Sequence, residues 1–434
     1  MRPRKDWNST SREPGGRPPP MTCCGPTAAA GGGCEQGLPV NTPLPLAAGR
    51  TVDVAAMEEE LRRLWRDMGE GGGGRGMMRA CVLNLIIMSE KTAVQDESPP
   101  SPGGDPEDRE LTDLVAAITH EHPCRVIRVD ARPEAPSSHL QAYLSAFCRR
   151  PSGSERQLCC EQITLRADGE AARHLHGTLA ALLAADLPVF LWWRGRPPFG
   201  SHRLGRLADL ADRLILDTAS AGDDLETLVD LAAFSGGAGD GAAPGDLAWR
   251  RLTRWREATA SLFDPAARRP LLTAVQSLDL RWGTRSGHPG RGQALYLAAW
   301  LATRLGWRPR PATVHASGDD LSLEMDAGTH VVRVRVQRGG EGDPSLSLVM
   351  GDHGHAPATA RIGPGEAPWA ELNLPGQPLW RWPGQPGVTG TAQLLARELE
   401  FPRADPVFAA ALALAGELAK LWRAQCGGSG GGRP

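Results

Sequence analysis

CCEQITLRADGEAARHLHGTLAALLAADLPVFLWWRGRPP, residues 159–198, decides the fold class of this 434-residue chain. Residues 159–166 alternate apolar and polar side chains up to Ala167-Asp168-Gly169, the pattern of a strand running into a turn. Ala172, Leu175, Leu179, Leu182 and Leu183 then recur at helical spacing. Residues 188–193 form a short unbroken apolar run that ends in Arg194-Gly195-Arg196-Pro197-Pro198. A strand buried on both faces has that composition. In α/β sheets, ligands and partners are met at the C-terminal end of such a strand.

Outward from this unit, strands are expected at 81–88 (CVLNLIIM), 124–131 (CRVIRVDA), 140–148 and 213–217, and helices at 52–68, 107–120, 204–211 and 223–234. The period of two over 140–148 predicts pairing with 159–166. Alternating strands and helices imply a three-layer α/β N-terminal domain. Beyond a glycine-rich linker at 235–245, a helix is expected at 246–263, a strand at 275–280 and a helix at 293–305. Residues 321–325, 330–337 and 346–350 read as an antiparallel meander, and helices at 391–400 and 406–422 close an α+β C-terminal domain. The expected division is a disordered Pro/Gly-rich tail at 1–50, domains at 51–198 and 199–425, and a disordered tail at 426–434.

A formal charge of −2 argues against general attraction to nucleic acid or membranes. The most apolar stretch, 179–193, is broken by Asp186 and Pro188 and is too short to span a bilayer, so a cytoplasmic protein is expected. Nine scattered cysteines without a CxxC pair form neither a secreted disulfide framework nor a zinc ribbon. The N-terminal segment is atypical enough that translation from a downstream start such as Met57 is an alternative.

No Walker, GxSxG, HExxH or strand-coupled GxGxxG motif is present, and no nucleophile, base and orienter assemble from sequence; no catalytic residue is assigned. Trp192, Trp193, Arg194 and Arg196 are the candidate partner-binding group, because an exposed Trp flanked by Arg is a common interface anchor. Stacking on a sugar or base and simple core packing compete with that reading. Arg281, Arg285, His288 and Arg291, in RWGTRSGHPGR, are candidates for an anion site at a helix N-terminus. Cys159 and Cys160 are redox candidates if Cys148 or Cys124 lies on a neighbouring strand. His120, His122 and Cys124 could face one side of an extended chain, but a helix end entering a strand is the better reading, and neither a metal nor a cofactor is expected.

In combination, the blocks VDVAAMEEELRRLW, RACVLNLII, HPCRVI, CCEQITL, LPVFLWWRG, LADRLILD, DLAWRRLTRWRE and AAWLATRLGW resemble the OpcA family, the glucose-6-phosphate dehydrogenase assembly proteins. They follow in the family's order from about residue 52 to 422, and the tryptophan-rich second half looks most like the cyanobacterial branch. The resemblance implies a non-catalytic partner that binds glucose-6-phosphate dehydrogenase and promotes its active oligomer, supporting the oxidative pentose phosphate pathway. A sugar-phosphate-binding enzyme or sensor using residues 281–291 is the alternative. The long N-terminal extension departs from the family pattern.

Overall fold

A computed structural model of the chain describes residues 40–42, 54–71, 77–91, 106–149, 157–237, 241–283, 290–339, 344–351, 356–364, 367–388 and 390–428. The two expected disordered tails fall outside these residues, apart from short pieces at 40–42 and 426–428.

The first sheet contains β1 (Val40–Thr42), β2 (Met77–Arg79), β3 (Leu83–Glu90), β4 (Cys124–Arg132), β5 (His139–Arg149), β6 (Gln157–Asp168), β7 (Val189–Arg194), β8 (Arg213–Leu216) and β9 (Ala243–Asp246). Its helices are α1 (Val54–Gly71), α2 (Pro106–Glu121), α3 (Gly169–Arg173), α4 (Leu175–Leu182), α5 (His202–Ala208) and α6 (Asp224–Gly237). Strand order is β1-β5-β6-β4-β3-β7-β8-β9, with β2 beside β6. From β6 through β9 every neighbour is parallel, whereas β5 pairs with β6 as expected, antiparallel and with Tyr143 opposite Thr164.

The buried run of β3, Leu83 to Met88, explains the three layers. Ile86 and Met88 face one apolar cluster with Met57 and Leu61 of α1 and Leu175 and Leu179 of α4. Leu83, Leu85 and Ile87 face a second, with Leu111, Val115 and Ile118 of α2 and Leu394, Leu395 and Leu399 from near the C-terminus. Alternation along a strand sends successive side chains to opposite layers, so a strand covered on both sides is apolar except where a polar group finds its partners, as buried Asn84 does with the Ala184 backbone.

The second half adds α7 (Leu247–Arg251), α8 (Thr253–Ser261), a 3₁₀ stretch Ala266–Ala274, β10 (Val275–Trp282), α9 (Arg291–Leu305), β11 (Arg308–Pro309), β12 (His315–Ser317), β13 (Asp320–Asp326), β14 (Val331–Arg338), β15 (Ser345–Met350), β16 (Ala358–Gly363), β17 (Trp369–Asn373), β18 (Trp380–Trp382), α10 (Thr391–Leu399) and α11 (Pro406–Gly428). The expected meander needs correction. β13 and β14 do pair antiparallel, but β10 lies between β14 and β15, parallel to β14. The crossover from β10 through α9 is the physical reason: a buried helix packed on β10 and β14 demands a parallel return.

Inner side chains of this sheet (Leu278, Val334, Leu348, Ala360 and Leu372) join the same apolar cluster as α8, α9, α11 and one face of the first sheet. The outer positions are Ser277, Asp279 and Arg281 on β10, Arg333 and Arg335 on β14, Ser347 on β15 and Arg361 on β16, none of them in that core. The first sheet continues past residue 198 with β8 and β9, and the change of sheet comes after Asp246. We therefore propose that the domain division lies there rather than at 198.

Candidate functional site

β3 leads through α2 to β4 on one side, while β7, β8 and β9 are added on the other, so the sheet's topological switch falls between β3 and β7. A cleft of about 730 Å³ opens there, at the C-terminal ends of the strands. Ser89, Glu90 and Lys91 enter it from β3, Trp192 to Gly195 from β7, Asp217 from beyond β8, Glu107 and Glu110 from α2, and Arg251 from α7.

Its charged groups are largely tied to one another. Arg194 Nη1 lies 3.0 Å from Glu107 Oε1 and donates to Ser89 Oγ at 3.3 Å. Lys91 approaches the same Glu107 at 3.7 Å. Arg251 grips Asp217 through two parallel hydrogen bonds of 2.6 and 2.7 Å, and Arg203 pairs with Glu90 at 2.6 Å. Burial pushes the Glu90 carboxyl up, against the pull of Arg203. Asp108, beside Glu107, is also partly buried, yet hydrogen bonding and charge from Arg128, with Arg166 and Lys91, hold its carboxyl below the usual range.

In a dinucleotide-binding sheet, the helix after the first strand offers its N-terminal N–H groups to a pyrophosphate. Here α2 begins with Pro106, which has no N–H, and its first turn carries Glu107 and Asp108. Negative side chains already stand where the phosphates would go.

The candidate partner group is resolved by β7. Trp192 is 4% exposed and joins the α2/α10 layer, while Trp193 is 1% exposed and joins the opposite layer. The strand is central, so period two puts one ring in each core and neither is an exposed anchor. The Trp193 indole N–H has no acceptor among the described residues. Arg194 is held by Glu107, and Arg196 by Glu226 at 2.8 Å and Asp230 at 2.5 Å, which raise its guanidinium pKa.

At the candidate anion loop, Arg285 and His288 lie outside the described residues. Arg291 donates to Asp224 at 2.7 and 3.0 Å, and the Gly292 N–H donates to the other oxygen of that carboxylate at 2.7 Å. The N-terminus of α9 is thus capped by Asp224 of α6, in the place proposed for an external anion. Arg281 is exposed on the outer face of the second sheet.

Cys159 stands opposite Cys148 in the β5–β6 register and is disulfide-bonded to it, the neighbouring-strand condition set from sequence. Cys160 is buried as a thiol outside this disulfide. So is Cys124, whose thiol is pushed well up by burial, a state that disfavours thiolate chemistry.

Sequence reading missed two buried ion clusters. In one, Glu161 accepts from Trp65 Nε1 at 3.1 Å, from Arg79 at 2.7 Å and from Arg125. In the other, Glu398 of α10 accepts from Arg213 of β8 at 2.7 and 2.9 Å and from Arg250 of α7, while Arg213 also donates to the Arg403 carbonyl at 2.7 Å. Partners 185 residues apart leave no local signal. No helix among the described residues is long and apolar enough to cross a membrane, and none of their His, Cys, Asp and Glu side chains form a metal-holding group.

Residues 115–233 match a family model described as the glucose-6-phosphate dehydrogenase subunit N-terminal domain, and residues 242–412 match the corresponding C-terminal domain. Relatives described as OxPP cycle protein OpcA include that of Synechocystis sp., 32% identical over 227 residues, covering 52% of this chain and 44% of that one. That of Synechococcus elongatus is 30% identical over 250 residues, covering 55% and 52%. The chain thus spans about half the length of the curated relatives it matches. Among solved structures, a Gal80p mutant from Saccharomyces cerevisiae aligns with a TM-score of 0.44 at 8% identity, covering 80% of this chain and 97% of that one. A glucose-6-phosphate dehydrogenase in complex with its substrate aligns with a TM-score of 0.38 at 11% identity, covering 79% and 91%. Likenesses this low carry no argument. The two consecutive domain matches do, and the chain belongs to the OpcA family.

Proposed function

We propose that this protein is a non-catalytic subunit that associates with glucose-6-phosphate dehydrogenase and promotes its active oligomer, supporting the oxidative pentose phosphate pathway. The carrying observation is the match, in order, to both domains of a family described as a subunit of that enzyme. The carboxylates at the start of α2 support the non-catalytic part, since they oppose a nucleotide phosphate at the switch point. Against the sugar-phosphate alternative, Asp224 already caps the N-terminus of α9 at Arg291 and Gly292.

For docking, the buried tryptophans of β7 leave the outer face of the second sheet as the better surface. Trp369 lies half-buried against Gly363, where a Cβ would come within 2.2 Å of the ring, and Arg361 stands 5.8 Å from that ring's centroid. Beside them, Arg281, Arg333 and Arg335 stand with Ser277 and Ser347, whose small side chains let a partner approach closely, and with Asp279, 3.7 Å from Arg335. Trp and Arg are the residues that most often dominate interface energetics. An acidic surface on the dehydrogenase is the complement.

An activator must bind the active state more tightly than the other, since equal affinity shifts nothing. Mixing the purified proteins while following dehydrogenase mass by sedimentation and its substrate dependence tests this. The expected result is a larger assembly with a lower KM; an unchanged mass and an unchanged KM would overturn the proposal.

A further inference from the structure

We propose that the pocket between the α3–α4 corner and α5 binds a phosphate-sized dianion, either inorganic phosphate or the head of a phosphate monoester. Arg173, His174, His176, His202, Arg203 and Arg206 surround it, on a floor of Leu175 and Leu207, and no carboxylate lines it. Glu170 pairs with Arg173 and His174, and Glu90 with Arg203, from outside the pocket, but among the described residues no carboxylate pairs with Arg206, His176 or His202, and a negative occupant offsets the charge gathered there.

The pairs behind the pocket sharpen this. Arg203 is anchored by Glu90 at 2.6 Å, and Arg173 by Glu170 and by the Pro133 carbonyl at 2.9 and 3.1 Å. These contacts fix two guanidinium groups at the rim. Arg206 differs: its Nη2 lies 2.6 and 3.0 Å from the two ring nitrogens of His176, and no carboxylate among the described residues pairs with it. A half-buried guanidinium held against an imidazole, with donors to spare, is poised for an oxyanion rather than satisfied by the protein.

The size of the pocket limits the ligand. Its volume is about 90 Å³, against about 730 Å³ for the switch-point cleft. That is room for a tetrahedral oxyanion and not for a nucleotide. The pocket also lies on the side of the sheet to which β6 and β7 deliver their C-terminal ends, the side where α/β folds take ligands. It shares no residue with the switch-point cleft, so it is a second site.

Titration calorimetry on the full chain, without the dehydrogenase, tests the proposal independently of the function above. Inorganic phosphate and glycerol 3-phosphate are the two probes, and R206Q and H202Q the two variants, with thermal melting to verify each fold. The expected result is saturable binding of at least one probe, weakened about tenfold or more in R206Q with an unchanged Tm. Tenfold preference for the ester would assign a phosphate monoester, and equal affinity would assign phosphate itself. H202Q guards the test if R206Q fails to fold, and the same weakening is expected there. Absence of saturable binding to both probes, or folded variants that bind as tightly as the native chain, would overturn the proposal.

Discussion

Glu398 is 1% exposed, and the two guanidinium groups it accepts from come from β8 and α7. Gly245 makes the arrangement possible, because a Cβ there would stand 2.8 Å from a Glu398 oxygen and 2.9 Å from Arg213 Nε. Removing one member of a buried pair strands the other, so E398A should lose about 3–5 kcal/mol of unfolding free energy, read as a lower urea midpoint. Asp246 makes a second residue-scale prediction. Its carboxylate accepts from Tyr296 Oη at 2.7 Å, Thr218 Oγ1 at 2.7 Å and the Ala248 N–H at 2.8 Å. Complete burial, and then the charge of Asp217, nevertheless push it from 3.8 up to about 6. A raised folded pKa stabilises the fold below the unfolded value, and that stabilisation is lost as pH rises through the folded one. Between about pH 4 and pH 6 the native chain should lose on the order of 3 kcal/mol that D246N does not. Unfolding free energies of both proteins across that window should therefore converge or cross in favour of D246N.

At the scale of elements, α6 and α11 cross with unusual closeness. A Cβ on Gly416 would stand 2.3 Å from the Ala232 Cβ and 3.3 Å from the Leu228 carbonyl oxygen, so only hydrogen fits between the helices. G416A must push them apart and should cost about 1–3 kcal/mol, the usual penalty for overpacking; its urea midpoint should fall with an unchanged slope. Which elements the sequence revealed follows from where their information resides. β3, β7 and β8 are dense runs of Val, Ile, Leu, Phe and Trp, and these are legible because burial on both faces admits little else. β9 reads Ala-Pro-Gly-Asp, has no strand propensity, and is fixed by pairing with β8 and by the hydrogen bonds of Asp246. Residues 246–263, one helix by periodicity, divide at Leu252 into α7 and α8, a bend set by packing rather than by Gly or Pro. The tryptophans of β7 could be placed on opposite faces from sequence, but α10, which covers one of those faces, arrives some 200 residues later. The histidines and arginines of the dianion pocket were each visible, yet only the turn after β6 and the loop after β7 bring them together.

For the whole molecule, the outer sheet face governs association in the proposed function. Ser277, Arg333, Arg335 and Arg361 contribute nothing to the apolar cluster, so charge reversal there should spare the fold. R333E/R335E should melt within a degree or two of the native chain while binding the dehydrogenase at least tenfold more weakly, most visibly at low salt. W192A should do the opposite. It should lose about 3–5 kcal/mol of stability, as large-to-small core changes do, and any loss of binding should track unfolding. Comparing affinity with melting temperature for the two variants separates a docking surface from a core.

The Arg213–Glu398 pair also bears on the order in which the protein is made. β8 is complete early, but its counter-charge is synthesised 185 residues later, together with the helix that roofs that side of the first sheet. A ribosome that has delivered only the first sheet has released a strand whose arginine lacks its anion and whose apolar face, still open to water, lacks its roof. The packing of the N-terminal half is therefore complete only with residues of the C-terminal half in place. Two domains in sequence behave as one unit of maturation.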